Sequence, residues 1–378
     1  MNFNLMLVGR CVYGMGCESM YVGQSAIVSN WFINYELPIA ISMVSTIPLI
    51  GSFLNGIVVP QIYDATQDFG KAFGIGFILC IISFLMVLIV ACIDKRAESY
   101  DKRLLLQFRQ DRKERERRTV TEQISMARAE DKVEEEEVQI RETFKQGQDI
   151  ENNFSLKDLK LLGLPFWLTT FSCMCTYISV VNSVAIGSAL LQNRFNYSEI
   201  EAGFFFGLPY TISACACPLV GIFVNRYGRR MTVTMLGSLL LIISHTLMML
   251  LPECDKCFAS KLPLILQGLG YTTYSVVLWG SFPYIVEARA LGTAFGICTA
   301  FQNMGTVVAP IIVGLILEGT EDVKFSKGGY LFASLFFVLI SCLALIFNIW
   351  VYLYDKQKRE NLLESKKPLA EFERYTQQ

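Results

Sequence analysis

The stretch GIFVNRYGRRMT, from Gly221 to Thr232, places a short basic loop between two long apolar runs. The run before the loop covers about 199–225, and the run after it covers about 231–251. A helix needs roughly 20 apolar residues to cross the hydrocarbon core of a bilayer. We therefore interpret the stretch as a tight turn between two membrane-spanning helices.

The same alternation of apolar runs and polar breaks extends over the whole chain. Of the 378 residues, 53% are hydrophobic and 18% are charged, and the mean hydropathy is +0.41. Runs long enough to span a bilayer lie at about 4–32, 37–63, 71–93, 160–191, 199–225, 231–251, 262–286, 290–317 and 329–354. Barrel strands would alternate over about ten residues, and the sequence has no such pattern. The predicted fold class is therefore all-α, a polytopic membrane protein with about nine transmembrane helices.

One charged segment, 94–158, interrupts this pattern, with a basic first half and an acidic second half. Basic residues concentrate there, in the loop at 226–230 and after residue 355, so the positive-inside rule places these three regions in the cytosol. We interpret the segment as a solvated, partly helical linker, with an interaction tail as the alternative. The predicted divisions are an N-terminal membrane part, the linker, a C-terminal six-helix bundle and a tail, at 1–93, 94–158, 159–354 and 355–378.

A polar stripe marks one face of the first apolar run. Gly14, Glu18, Tyr21 and Ser25 lie at spacings that share one face of a helix. A charged group at the centre of a membrane helix costs roughly 2.5–3.5 kcal/mol on insertion scales, so this face is expected to meet the bundle interior or an aqueous cavity. We assign Glu18 a role with substrate or protons, with structural pairing to Arg10 as the alternative.

A second stripe, Tyr271, Ser275 and Trp279, repeats every four residues on the run 262–286. An aromatic wall with few polar groups suits a small amphipathic ligand, although plain packing would produce the same pattern. A thinner stripe lies on the run 37–63, at Ser45, Ser52 and Asn55.

Other residues have structural interpretations. His245, the single histidine, is interpreted as a packing residue rather than a proton relay. Cys254 and Cys257 predict a loop disulfide in preference to a redox or metal site, and the pair Gly292 and Gly296 predicts close helix packing. The sequence has no nucleophilic triad, phosphate loop or metal cluster. We therefore expect no enzymatic activity, no cofactor, no metal and no nucleic-acid partner.

The loop quoted first resembles the signature of the major facilitator superfamily, G-x-x-x-D-R-x-G-R-R, which joins the second and third helices of each six-helix half. The matching residues are Gly221, Asn225, Arg226, Gly228, Arg229 and Arg230, with Asn225 in place of the acid. This register makes 231–251 the ninth of twelve helices and 4–32 the fourth. Arg10, Gly14 and Gly16 then match the R-x-x-x-G-x-G pattern of the fourth helix.

The resemblance implies that 1–93 holds helices four to six and that helices one to three are missing. We therefore expect an incomplete twelve-helix fold, an incomplete gene model, and poor activity of the chain as written. The topology agrees with this. With nine spans and a cytosolic C-terminus, the N-terminus would lie in the lumen, which is unusual for a chain that has no exported domain before its first span.

Further stretches are similar to the family of major facilitator superfamily domain-containing protein one, whose members are lysosomal dipeptide uniporters. They include GRCVYGMGCES (9–19), LGTAFG (291–296) and QNMG (302–305). The resemblance implies a cavity at the bilayer midplane, opened alternately to each side. It assigns the substrate amine to Glu18 and a cavity wall to Trp279, but Leu49 stands at the position of the family arginine that receives the carboxylate. The predicted substrate-binding residues are Glu18, Tyr21, Ser25, Tyr271, Ser275 and Trp279.

The expected function is facilitated diffusion of dipeptides or small amines out of the lysosome. The alternatives are a non-transporting scaffold or receptor derived from a transporter, and a facilitator of sugars or organic ions. The expected partners are a small-molecule substrate and the lipid bilayer, and the resemblance adds a glycosylated luminal accessory membrane protein and a homodimer. An acidic dileucine pattern, Asp101 with Leu105 and Leu106, fits sorting to the lysosomal membrane, with leucines that continue an amphipathic helix as the alternative.

Overall fold

The computed structural model describes residues 3–32, 36–66, 68–122, 162–287, 290–320, 329–359 and 361–365, and these contain helices and turns but no strand. The helices are α1 (Phe3–Phe32), α2 (Leu37–Thr66), α3 (Phe69–Glu122), α4 (Leu164–Phe195), α5 (Glu199–Phe206), α6 (Leu208–Tyr227), α7 (Arg230–Leu250), α8 (Lys261–Ile285), α9 (Leu291–Thr320) and α10 (Tyr330–Lys358). Each predicted apolar run overlaps at least one helix. The all-α prediction is confirmed.

Six stretches of the described residues are long and apolar enough to cross a membrane. They are Gly74–Arg96, Leu164–Phe195, Glu201–Tyr227, Arg230–Leu250, Leu291–Thr320 and Tyr330–Lys358. Helices α1, α2 and α8, three of the nine predicted spans, are not among them, and the middle of α8, GYTTYS at 270–275, is polar. The chain is therefore a multi-pass integral membrane protein, as the sequence predicts.

The chain separates into two compact units, one of residues 57–152 and one that joins 1–56 to 153–378. The first of these units contains all of α3, a continuous helix of 54 residues with an apolar beginning and a charged end. The helix passes the predicted start of the linker at residue 94 without a break. The later part of the linker lies outside the described residues.

In the other unit, the predicted span 199–225 is divided at Gly207 into α5 and α6. Pro209, near the start of α6, cannot donate a backbone hydrogen bond to the preceding turn, which explains the break. Helix α5 begins with a capping box, in which Ser198 and Glu201 satisfy each other's backbone N–H groups.

Buried hydrogen bonds join four helices of the C-terminal bundle. The Ser172 hydroxyl on α4 lies 2.7 Å from the Tyr274 hydroxyl on α8 and donates to the Asn348 side-chain oxygen on α10 at 2.7 Å. The Asn348 amide in turn donates to the Ser238 hydroxyl on α7 at 2.9 Å. Because polar groups in a water-free interior must find partners, this chain of bonds fixes the register of the four helices.

His245 belongs to a second buried group of this kind. Its Nε2 lies 2.7 Å from the Ser179 hydroxyl, which also lies 2.7 Å from the Ser341 hydroxyl. The imidazole ring packs beside the ring of Phe337, with centroids 5.6 Å apart. These contacts agree with the predicted packing role.

Close helix approach in the C-terminal bundle involves glycines other than the predicted pair. A Cβ atom on Gly237 of α7 would lie 2.9 Å from the carbonyl oxygen of Gly270 on α8, so only glycine fits there. On α9, a Cβ atom at Gly292 or Gly296 would meet no atom of the described residues within 4 Å. The predicted close packing of that pair is therefore wrong.

The loop between α7 and α8 is closed by a disulfide between Cys254 and Cys257, as predicted. The Lys256 ammonium in this loop lies 2.8 Å from the Glu201 carboxylate. Its hydrogen bond to that carboxylate raises the pKa of Lys256 above its usual value. The ion pair holds the loop against the start of α5.

After α10 the chain turns back, and residues 361–365, here named the C-terminal segment, dock on the end of the bundle. The side chains of Leu362 and Leu363 are buried, and the Leu363 N–H donates to the Asp355 carboxylate at 3.0 Å. The Glu364 carboxylate accepts hydrogen bonds from the Thr232 backbone N–H and hydroxyl, both at 2.9 Å. The segment therefore caps the N-terminus of α7, where a carboxylate is favoured.

Candidate substrate-binding site

A cavity of about 90 Å³ lies among α1, α2, α4 and α8. The residues that line it are Tyr21, Ser45, Pro48, Leu49, Tyr177, Tyr271, Ser275 and Trp279. The structure thus brings together four of the six predicted substrate-binding residues, from α1 and α8. Their part in binding a substrate stays a prediction.

Aromatic rings form most of the cavity wall. The rings of Tyr21 and Trp279 meet edge to face, with centroids 5.7 Å apart and planes at 79°. The rings of Tyr177 and Tyr271 meet in the same way, at 5.7 Å and 83°. The Trp279 indole N–H donates to the Tyr177 hydroxyl at 3.0 Å, which joins the two pairs into one wall.

Trp279 is held from behind by packing. Its ring lies 5.7 Å from that of Phe282 and 5.8 Å from that of Phe295, and only 2% of its surface is exposed. The spacing of four residues along α8 puts Tyr271, Ser275 and Trp279 on one face, as the sequence predicts. The wall therefore has a fixed position against the bundle core.

Two lining residues, Tyr177 and Pro48, were not predicted from the sequence. Tyr177 lies on α4 beside Thr176 and close to Ser179. This small group of hydroxyl side chains in an apolar helix could have indicated that α4 lines a polar cavity.

The predicted thinner stripe on α2 is only partly correct. Ser45 lines the cavity, whereas Ser52, seven residues further along the same side of the helix, is exposed. The Asn55 side chain lies outside the described residues.

Glu18 lies one helical turn before Tyr21 and is half-buried. It does not line the cavity itself. Within the described part of the chain, Glu18 takes part in no hydrogen bond or ion pair. The Arg10 side chain lies outside the described residues, so the proposed pair between the two is untested.

The rest of the α1 stripe follows the same side of the helix. Gly14 is half-buried and Ser25 is buried, whereas Cys17 and Met20 between them are exposed. Ser25 does not line the cavity. Gly16 is exposed, and a methyl group there would meet no described atom within 4 Å. The stripe is thus the face of α1 that packs towards α8 and α9.

Leu49 forms an apolar part of the cavity. Its buried side chain packs with Cys217 of α6 and Val276 of α8. The side chains that line the cavity in the described structure are aromatic, aliphatic or hydroxylic, and none is cationic. A ligand carboxylate at this end would meet hydrocarbon rather than a positive charge.

The signature loop begins with a close contact between helices. A Cβ atom on Gly221 of α6 would lie 2.9 Å from the Pro38 carbonyl oxygen on α2, so glycine permits this approach. Asn225 is half-buried and Arg226 is exposed, with its guanidinium over the ring of the neighbouring Tyr227.

The second half of the loop contacts the C-terminal segment. Gly228 has φ +69°, and a Cβ atom there would lie 2.9 Å from the Glu364 carbonyl oxygen. Arg229 is exposed, and its backbone N–H donates to that same carbonyl at 3.1 Å. The buried Arg230 guanidinium lies 3.9 Å from the centroid of the Tyr284 ring and donates to the Ser365 carbonyl at 3.0 Å.

Comparison with known proteins agrees with this architecture. The sequence profile of the Major Facilitator Superfamily matches residues 1–260, which is more than half of the chain. The chain belongs to this superfamily. Major facilitator proteins are membrane transporters rather than enzymes, so the prediction of a non-enzymatic transporter is confirmed.

Three relatives share similarity over nearly the whole chain. The lysosomal dipeptide transporter MFSD1 of Danio rerio is 28% identical over 370 residues, which cover 96% of this chain and 68% of the relative. The Homo sapiens protein of that name is 26% identical over 369 residues, with 95% and 68% covered. The Gallus gallus protein is 27% identical over 359 residues, with 93% and 69% covered. The resemblance to this group of facilitators is confirmed.

Proposed function

We propose that this major facilitator carries small solutes with an amino group, dipeptides or small amines, out of the lysosome by uniport. The observation that carries the proposal is the aromatic cavity among α1, α2, α4 and α8, with the Glu18 carboxylate one turn from its wall. The names of the relatives, lysosomal dipeptide transporters, support the membrane and the substrate class.

Alternating access explains how a substrate reaches this cavity. Its volume of about 90 Å³ is below the roughly 300–1,000 Å³ of sites for drug-sized ligands. The site must therefore widen, by movement of α1 and α2 away from α4 and α8. The edge contact between Tyr21 and Trp279 crosses this boundary and would part first.

In this proposal Glu18 receives the substrate amine. An ammonium group leaving water needs a charged partner in the membrane interior, and a half-buried carboxylate without a partner among the described residues supplies one. Trp279, Tyr271 and Ser275 shape the wall, with Tyr177 behind the indole. Uniport is favoured because the single histidine lies outside the cavity and is bound to Ser179.

Uptake by the native protein in proteoliposomes tests the role of Glu18. The variant Glu18→Gln keeps the size of the side chain but removes its charge, and we expect uptake of amine substrates to fall about tenfold or more. Glu36→Gln is the matched control, because Glu36 is exposed just before α2. Equal uptake by wild type and Glu18→Gln would refute the assigned role.

The same assay separates the other candidate functions. A substrate panel with sugars and organic ions would reveal another cargo. A scaffold function would appear as no flux of any solute together with co-purification of a partner. The glycosylated luminal accessory protein and the homodimer stay predictions, and cross-linking in native membranes tests both.

A further inference from the structure

We infer that the cavity selects amines that carry no carboxylate, including peptides whose carboxyl end is blocked, over free dipeptides. This inference rests on the proposed function and narrows its substrate class. It follows from three features of the cavity: its aromatic wall, the nearby acid Glu18 and its apolar end at Leu49.

The aromatic wall suits a compact cation. Tyr21, Tyr177, Tyr271 and Trp279 contribute four rings to one small cavity. Ring faces attract ammonium groups, and the attraction strengthens where water is excluded. Serine hydroxyls on α2 and α8 add neutral hydrogen-bonding groups. These groups recognise an amine or an amide without requiring a second charge on the ligand.

The charged residue described beside the cavity wall is an acid. Glu18 lies one turn from Tyr21, and the lining residues in the described structure include no lysine, arginine or histidine. Two buried arginines of the C-terminal bundle, Arg194 and Arg230, are engaged elsewhere. Arg194 binds the carbonyl groups of Met248 and Leu251, and Arg230 binds the C-terminal segment.

The remaining end of the cavity is hydrocarbon. Leu49, Cys217 and Val276 pack together there, and Pro48 lies beside them on α2. A carboxylate buried against such a surface would lose its hydration and gain no charged partner. An amide, an ester or an alkyl group at the same place has no charge to bury. The cavity therefore accepts a cation with a neutral end and disfavours a zwitterion.

Three matched probes test this selectivity on the wild-type protein in proteoliposomes. They are alanyl-alaninamide, a cation, alanyl-alanine, a zwitterion, and N-acetyl-alanyl-alanine, an anion. We expect kcat/KM for the amide to exceed that for the free dipeptide about tenfold or more, and no uptake of the anion. Equal or better uptake of the free dipeptide would overturn the selectivity but leave the transporter proposal intact. No uptake of any probe would count against both.

A binding measurement tests the same selectivity without requiring that the protein transports the probe. In detergent solution, alanyl-alaninamide is expected to raise the thermal midpoint of the purified protein, with no rise for alanyl-alanine at the same concentration. A rise of equal size with the free dipeptide would contradict the inference, even for a preparation that shows no transport.

A substitution at Leu49 should reverse the preference. The variant Leu49→Arg places a guanidinium at the apolar end, where it can pair with a ligand carboxylate. We expect the ratio of dipeptide to amide uptake to rise about tenfold or more, because the amide now meets a like charge. Leu49→Met, which keeps an apolar side chain of similar volume, should keep the wild-type ratio. An unchanged ratio in folded Leu49→Arg would contradict the inference.

Discussion

Trp279 makes the contacts that decide the shape of the cavity. Its indole ring is fixed from behind by Phe282 and Phe295, and its edge meets Tyr21 across the cavity boundary. The indole N–H needs an acceptor because it is buried, and the Tyr177 hydroxyl provides it at 3.0 Å. Tyr177 is therefore a positioning residue, since it holds the orientation of the tryptophan ring that faces the substrate.

The substitution Tyr177→Phe tests this contact at the level of single atoms. It removes the acceptor and keeps the ring, so a buried N–H is left unpaired at a cost of about 1–3 kcal/mol. We expect KM for the amine substrate to rise about tenfold while kcat changes less, since a loosened wall weakens binding first. Uptake kinetics in proteoliposomes measure both constants.

A conservative control separates positioning from general packing. Tyr352→Phe removes a hydroxyl from a half-buried tyrosine on α10, outside the cavity, and should leave KM unchanged. A rise in KM of equal size in both variants would contradict the special role of Tyr177.

Among the elements of the fold, the C-terminal segment is short but makes several specific contacts with the end of the bundle. Leu363 is fully buried, its N–H binds Asp355, and Glu364 caps the first turn of α7. These contacts join the end of α10 to the loop between α6 and α7. The segment therefore ties these two parts of the bundle together.

Truncation of the Leu363 side chain should weaken the attachment of the C-terminal segment to the bundle. Leu363→Ala is expected to cost about 2–5 kcal/mol of folding free energy, because a buried leucine is replaced by a cavity. The measurement is the thermal midpoint in detergent, which should fall clearly below that of wild type. Leu353→Ala on α10 is the matched control, since 46% of Leu353 is exposed. A similar midpoint for the two variants would show that the segment adds no stability.

At the scale of the whole molecule, α2 and α6 make a close contact at a glycine. Gly221 of α6 lies against Pro38 and Ser42 of α2, and the approach leaves no space for a methyl group. Helix α2 lines the cavity on one side, and α6 packs on α8, which lines it on the other. In the proposed transport cycle, we expect this contact to form and break.

Gly221→Ala should therefore disfavour the state described here. The added methyl group would sit 2.9 Å from the Pro38 carbonyl oxygen, so the two helices must separate. We expect the uptake rate to fall about tenfold, because one state of the cycle becomes less populated. Gly314→Ala on α9 is the control, since no described atom lies within 4 Å of the new methyl group. The uptake rate of Gly314→Ala should stay at the wild-type value. Equal uptake rates for Gly221→Ala and Gly314→Ala would argue against movement at the contact between α2 and α6.

The sequence predicts the helices well because each apolar run had to satisfy its backbone within lipid. It also predicts the α8 wall, since Tyr271, Ser275 and Trp279 repeat with the helical period. Tyr177 was missed because its role depends on a neighbour 102 residues away, which no local pattern encodes. For the same reason the bond between Thr232 and Glu364, 132 residues apart, was not foreseen. The functional roles of Glu18 and Leu49 stay predictions.

The order of synthesis gives the C-terminal segment a further consequence. A ribosome makes about 5–20 residues per second, so α7 and α10 are complete before residues 361–365 leave the exit tunnel. During that interval the Arg230 guanidinium lacks its Ser365 acceptor and the Asp355 carboxylate lacks the Leu363 N–H. The last residues of the segment therefore complete the hydrogen bonding at this end of the bundle. A stop codon at residue 360 is expected to yield a chain in which these two groups lack those partners.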